Sequence, residues 1–137
     1  MLTAEEIAVY AARNAALHKL GFSSYKTYLH SAIWKDIRWR ILTPSARCRA
    51  CGRPANTVHN NRYHLDDLNG KCLDHLIPTC RSCHKQAEFT KIGTKLGPER
   101  ATQKLDNLRL KNQRIWQRQD AAAAWKRFFA VVDEIRI

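Results

Sequence analysis

Two cysteine pairs, Cys48-x-x-Cys51 and Cys80-x-x-Cys83, stand 28 residues apart, and no other feature limits so strongly what this chain can become. A thiolate pair at this spacing can grip one ion from a tight turn, and two such turns complete a tetrahedron. Gly52 follows the first pair directly, where the backbone must bend its amides toward the sulfurs. The segment from Cys48 to about Glu88 holds all five cysteines, four of the six histidines and the turn signal Asn69-Gly70. It has little apolar periodicity, so it cannot build a core alone and something else must hold it. Structural zinc meets that need, at on the order of 10 kcal/mol. A redox pair would want a thioredoxin-like context that is absent, and a disulfide framework fits poorly with five cysteines. Four protein ligands would close the coordination sphere, so this ion would hold structure and do no chemistry. Cys72, left over, reads as a small buried hydrophobe.

On either side the pattern is helical, and the 137 residues suffice for one domain with one modest core. Its parts are a helical 1–47, a metal-stapled 48–90 and a C-terminal helix over 101–137. Thr3 and Glu6 form a capping box, and Ile7, Tyr10, Asn14 and Leu17 follow as a stripe with one polar break. Gly21 is the stop. Ser23 or Ser24 caps a short helix carrying Tyr25, Tyr28 and Leu29. Ser31 caps a third, with Ile33, Trp34, Ile37 and Ile41 on one side. Trp34 reads as core; Trp39 is left open. Residues 93–98 read as a loop. In the last zone Leu105, Leu108, Ile115, Trp116, Trp125, Phe128, Phe129 and Val132 supply an apolar face. Lys104, Arg109, Lys111, Arg114, Arg118, Lys126 and Arg127 supply a basic one. That helix can pack on its own core or on a second copy, so a homo-oligomer through it is an expectation.

Charge narrows the partner. Lys and Arg number 24 against 12 acids, a net charge of +12 on a small body that must repel itself. The usual reason to keep such an excess is a polyanion, and nucleic acid is the first candidate. An anionic membrane surface is the alternative, and solubility alone the bland reading. No apolar run is long enough to span a membrane, and Glu5 and Glu6 interrupt any leader pattern. A cytoplasmic setting is expected, where paired cysteines mean metal more often than disulfide.

Four stretches now carry a resemblance. They are the run Ser24-Tyr25-Lys26-Thr27-Tyr28-Leu29-His30-Ser31-Ala32-Ile33-Trp34-Lys35-Asp36-Ile37-Arg38, then Cys48-x-x-Cys51-Gly52, then Val58-His59-Asn60-x-x-Tyr63, then Leu76-Ile77-Pro78-Thr79-Cys80-Arg81-Ser82-Cys83-His84. In order and spacing, over roughly residues 24 to 88, these resemble small phage and bacterial HNH (ββα-metal) endonucleases. The resemblance implies an α+β, mostly helical protein, with a zinc-stapled ββα-metal core flanked by N- and C-terminal helices. It implies hydrolysis of DNA phosphodiesters with magnesium or another divalent ion, in the cytoplasm of a bacterial host. By resemblance, His59 is the first ligand of the catalytic ion and His84 the second, in the first turn of the helix. His75 stands where the family has its middle asparagine, which braces the loop. Cys83 and His84 point about 100° apart on a helix, so one can face the zinc and the other a separate ion. His84 and Glu88 are i and i+4, which makes Glu88 a possible third ligand and otherwise a solvated acid. The basic side chains expected at DNA are Arg62, Arg81, Lys85, Lys91 and Lys111.

Asn60 stands where the family keeps its general base. An amide can orient water but holds no proton at neutral pH, and a general base is worth about 10²–10⁴-fold in rate. Metal and DNA binding are therefore expected to survive with most turnover lost. Three explanations are open: Asn60 replaces a natural histidine, His64 serves as base after a register shift, or the chain is a natural non-cleaving relative. His18 and His30 read as histidines without a role. The leading reading is a metal-dependent DNA endonuclease; the runner-up is a non-catalytic zinc-stapled DNA-binding module, which has no need of a second metal. A zinc-knuckle RNA binder would want stacking aromatics, and the middle zone offers only Tyr63 and Phe89.

Overall fold

The computed structural model describes residues 1–135, with side chains described for all of them except Phe129 and residues 131–135. The side chains of Phe129 and Val132 on the expected apolar face, and the last two residues of the expected C-terminal helix, lie outside what is described. Helix α1 spans Ala4–Lys19. At its start Thr3 Oγ1 accepts from the Glu6 N–H, and Glu6 Oε1 accepts from the Thr3 N–H, each at 3.1 Å. At its end Gly21 takes φ +90°, which lets the Phe22 N–H reach back to the Leu17 carbonyl at 2.9 Å. Helix α2, Tyr25–Leu29, is capped by Ser24 and not Ser23, and α3, Ala32–Ile41, by Ser31; each serine oxygen accepts from the backbone N–H three residues on.

Leu17, Tyr28, Trp34, Ile37, Val58, Leu68 and Leu76 form the first apolar cluster. Trp34 is buried within it, whereas Trp39 is 77% exposed. The stripe on α1 keeps Tyr10 and Leu17 of the expected one and differs at the other two positions. Ile7 is 58% exposed and Asn14 lies outside, while Glu6, Tyr10, Arg13 and Leu17 turn inward. The cause is polar: Glu6 accepts from the Gly97 N–H and pairs with Arg100, and this bond sets the helix's rotation.

Strand β1, Thr57–Asn60, pairs antiparallel with β2, Leu76–Thr79, with Thr57 opposite Thr79 and Asn60 opposite Leu76. Between them runs the short helix α4, Leu65–Leu68, followed by Gly70, where a Cβ would lie 2.5 Å from the Arg40 guanidinium. Helix α5, Arg81–Glu88, begins directly after β2, and α6, Pro98–Ile135, crosses it. Ala101, Leu105 and Leu108 of α6 close over Ala87 and the cysteines as a second apolar cluster. Further along, the Asn112 amide donates to the Ala50 carbonyl at 2.7 Å. Beyond that point Ile115, Trp116, Trp125 and Phe128 are 39–58% exposed, so the expected apolar face is divided between a buried half and an exposed one. Trp116 lies against Gly52 of the first knuckle. Among the described residues no helix is long and apolar enough to cross a membrane.

The Glu6 bond is testable through pH. Burial alone would raise its carboxyl, but the Arg100 guanidinium and the N–H groups of Thr3 and Gly97 outweigh burial and bring it down to about 2 from an ordinary 4.5. A depressed folded value means stability that is present above about pH 4.5 and lost as pH falls toward 2. Glu6→Gln should therefore cost about 2 kcal/mol at neutral pH, the usual loss for a charge-assisted bond. In denaturant melts the gap between the two proteins should narrow steadily as pH falls from about 4.5 toward 2.

Candidate metal centres

The first knuckle is a turn closed by the Cys48 N–H on the Arg53 carbonyl at 2.7 Å and the Gly52 N–H on the Cys48 carbonyl at 2.9 Å. The second is the start of α5, where Cys80 is the N-cap and its sulfur accepts from the Cys83 N–H at 3.4 Å. The four sulfurs lie within 4.8 Å of one another, and Cys51 Sγ is 3.7 Å from Cys80 Sγ. A zinc–thiolate bond of ~2.3 Å gives a tetrahedral S···S edge of ~3.8 Å, so the donor set and its spacing fit zinc. Burial pushes the Cys48 thiol up, but backbone N–H groups at Cys80, Cys51 and Ala50 outweigh it and bring Cys48 down to about 7. Cys51 and Cys83 are held up by burial and by neighbouring sulfurs. A dication would draw all four to thiolates. The knuckles are tied to each other and to α6 as well. The Arg49 N–H donates to the Pro78 carbonyl at 3.0 Å, and the Arg49 guanidinium pairs with Asp106 at 3.2 Å.

A second cluster lies beside the first. Strand β1 delivers His59, only 2% exposed, and α5 delivers His84 and Glu88 one turn apart. Their ligand atoms lie within 4.8 Å of one another; the two imidazoles stand edge to face at 5.4 Å, and His84 Nε2 is 3.0 Å from Glu88 Oε1. Cys83 turns into the second apolar cluster while His84 joins this one, as their angular offset on a helix requires. Burial first, and then the nearby His84, lowers His59 to about 4, so it is neutral at physiological pH, the form a metal needs. Glu88 is raised by burial but lowered further by the His84 bond, so it stays charged. His59 Nε2 lies 2.9 Å from Thr102 Oγ1 on α6. That hydroxyl has one proton, already sought by the Pro98 carbonyl at 2.7 Å and by Asn61 Oδ1 at 3.0 Å. Nε2 is therefore assigned as the donor, which leaves the lone pair on Nδ1. Two imidazoles and a carboxylate suit a divalent ion of the magnesium-to-zinc range.

The other expected site residues fall elsewhere. Successive side chains on a strand alternate, so Asn60 turns to the side of Val58, opposite His59. It is 3% exposed, and its Nδ2 is buried without a hydrogen-bond partner. His64 is exposed at the start of α4. His75 is half-buried; its carbonyl accepts from the Asn61 N–H at 2.8 Å, and its ring lies by Asp67 and Cys72. His18 and His30 are exposed. Arg62 forks onto Asp67, whereas Arg81, Lys85, Lys91 and Lys111 are exposed. Lys85 and Lys91 share a cleft of about 650 Å³ with Lys104 and Phe89. Sequence reasoning missed Thr102, which lies 43 residues from His59 with no motif linking them. Against this geometry, no family model, no curated protein and no solved structure matches the chain.

Cys80→Ser should release the ion and unfold residues 48–88, because one sulfur both ligates and caps α5. Elemental analysis of protein prepared without chelator should give one tightly held zinc per wild-type chain. Its absence would refute the four-cysteine assignment.

Proposed function

We propose that this protein is a metal-dependent DNA endonuclease of the HNH (ββα-metal) kind, slowed or disabled because Asn60 takes the general-base position. The observation that carries the reading is the convergence of His59, His84 and Glu88 on a strand pair and the helix after it, beside a separate four-cysteine cluster. A module that only stapled itself with zinc and bound DNA would need the cysteines alone. The charge of +12 supports a polyanionic substrate.

When bound at His59, His84 and Glu88, a divalent ion supplies neutralisation of charge growing on a scissile phosphate. The chain supplies the rest. His59 is kept neutral by burial, and its ring is fixed by the Thr102 hydroxyl. Glu88 contributes the negative charge and orients His84. Next to His59 on β1 there is only an amide, so no imidazole at that position takes a proton from water. Zinc at the four cysteines holds the two halves of the site in register.

One observation favours the runner-up, a non-catalytic zinc-stapled DNA-binding module. Asn60 is buried on the face away from His59, with its Nδ2 unpaired. A residue in that position has the chain's interior around it and not a solvent-filled cleft.

DNA binding in either case should rest on phosphate contacts from Arg81, Lys85, Lys91 and Lys111. Affinity should then fall steeply with salt and vary little with base sequence. Fluorescence anisotropy at rising salt checks this; an affinity indifferent to salt would contradict it.

The sharper test replaces the missing base. Asn60→His should give magnesium- or manganese-dependent nicking of plasmid, about 10²–10⁴-fold above the starting chain, or about 3–5 kcal/mol of barrier. His84→Ala in that background should abolish the gain. No cleavage by Asn60→His, with fold, zinc and DNA binding intact, would favour the binding module. Strong cleavage by the unaltered chain would show that another group is the base.

A further inference from the structure

The connection between β1 and β2, residues 61–75, is long for two paired strands and has only α4 as internal structure. It is anchored by the Tyr28 hydroxyl on the Leu68 carbonyl at 2.8 Å and by Arg40 on the Gly70 carbonyl at 3.3 Å. Within it, one carboxylate oxygen of Asp67, the sulfur of Cys72 and a ring nitrogen of His75 lie within 4.8 Å of one another. Asp67 is wholly buried, Cys72 and His75 are half-buried, and Cys72 is a free thiol. The two oxygens of Asp67 are unequally used. Oδ2 accepts from Arg62 Nε at 2.8 Å and from the His64 N–H at 2.9 Å, which fills it. Oδ1 has a single long bond, 3.3 Å from Arg62 Nη2. A carboxylate oxygen accepts twice, so Oδ1 keeps a lone pair in a place water does not reach.

We propose that Asp67, Cys72 and His75 form a third metal site, for a thiophilic divalent ion with zinc as the first candidate. It is separate from the four cysteines and from His59, His84 and Glu88, and it does not rest on the endonuclease reading. A thiolate, an imidazole and a carboxylate are a borderline-soft set that selects zinc over magnesium. Three protein ligands leave the fourth position to water. Arg62 already balances Asp67, so the ion meets a site of charge −1 once Cys72 is a thiolate. On binding, the Cys72 S–H bond breaks, the sulfur–metal bond forms and one proton leaves to solvent, so affinity rises with pH. The ion would join α4 to the residue before β2 and so fix the loop that follows Asn60.

The experiment is a cadmium titration of the full-length, metal-stripped, reduced chain, read by thiolate-to-metal absorption in the near ultraviolet. The first equivalent fills the four cysteines and gives a large step. The proposal requires a second, smaller step from one further thiolate; His59, His84 and Glu88 have no sulfur and add nothing to this band. Cys72→Ser should remove the second step and leave the first. His75→Asn, which keeps the thiol, should move the second step to weaker binding by about tenfold or more, since even changes beyond the ligands cost about 10–100-fold. Absorption that saturates after one equivalent in the wild type, or a second step that persists in Cys72→Ser, would overturn the site. Should Cys72→Ser not fold, an unshifted second step in His75→Asn overturns it equally. Failure of Asn60→His to cleave DNA leaves this result untouched, so the two readings fail separately.

Discussion

Four sulfurs brought within 4.8 Å of one another fix the distance between two stretches of chain that have little apolar surface of their own. The first knuckle leads through a short turn into β1, and the second is the N-cap of α5. His59 rides on the one and His84 with Glu88 on the other, so the separation of these side chains is set by the sulfur cluster more than by the strand pair between them. Two four-residue strands are too short to hold such a geometry alone. A thiolate cage around a dication, worth on the order of 10 kcal/mol, is strong enough to do so.

The first half of α6 is the second constraint. It touches every other part of the site through a different chemistry. Arg100 and Gly97 hold Glu6 of α1, Thr102 holds His59 and Asn61, and Lys104 caps the Phe89 carbonyl at 2.7 Å. Ala101 and Leu105 pack over Cys48, Cys83 and Ala87 and bury that side of the cysteine cluster. Farther along the helix, among the described residues, Ile115, Trp116, Trp125 and Phe128 are exposed.

What could be read from the sequence was whatever depends on neighbours a few residues apart. Thr3 with Glu6, Ser31, Gly21 and the two knuckles all announce themselves within one turn of chain, because capping and chelation are local requirements. The buried face of α1 was misread at Ile7, since a bond from Glu6 to residues more than 90 positions away outweighs a single apolar side chain. Thr102 was invisible for the same reason, since it lies 43 residues from His59 with no local pattern to mark it. Arg13 was likewise silent, yet it stacks 4.1 Å over the Tyr25 ring and beside Tyr10 and Tyr63. Four side chains from three parts of the chain thus replace the simple apolar stripe expected there.

The charge imbalance acquires meaning from where the acids go. Glu6, Asp36, Asp67 and Asp106 are engaged in ion pairs with arginines of this chain, and Glu88 bonds His84. Glu6, Asp67 and Glu88, three of the twelve acids, are buried or half-buried, where they position α1, α4 and α5. Arg81, Lys85, Lys91, Lys111, Arg114 and Arg118 are exposed, with acids sparse along the same elements. The net charge of +12 is therefore carried mainly by exposed cations such as these, unpaired among the described residues. A surface of that kind draws in a polyanion whether or not the centre at His59 and His84 can cut it. In the reading proposed above, binding and cleavage would rest on separate residues, and a change at residue 60 would bear on the second alone.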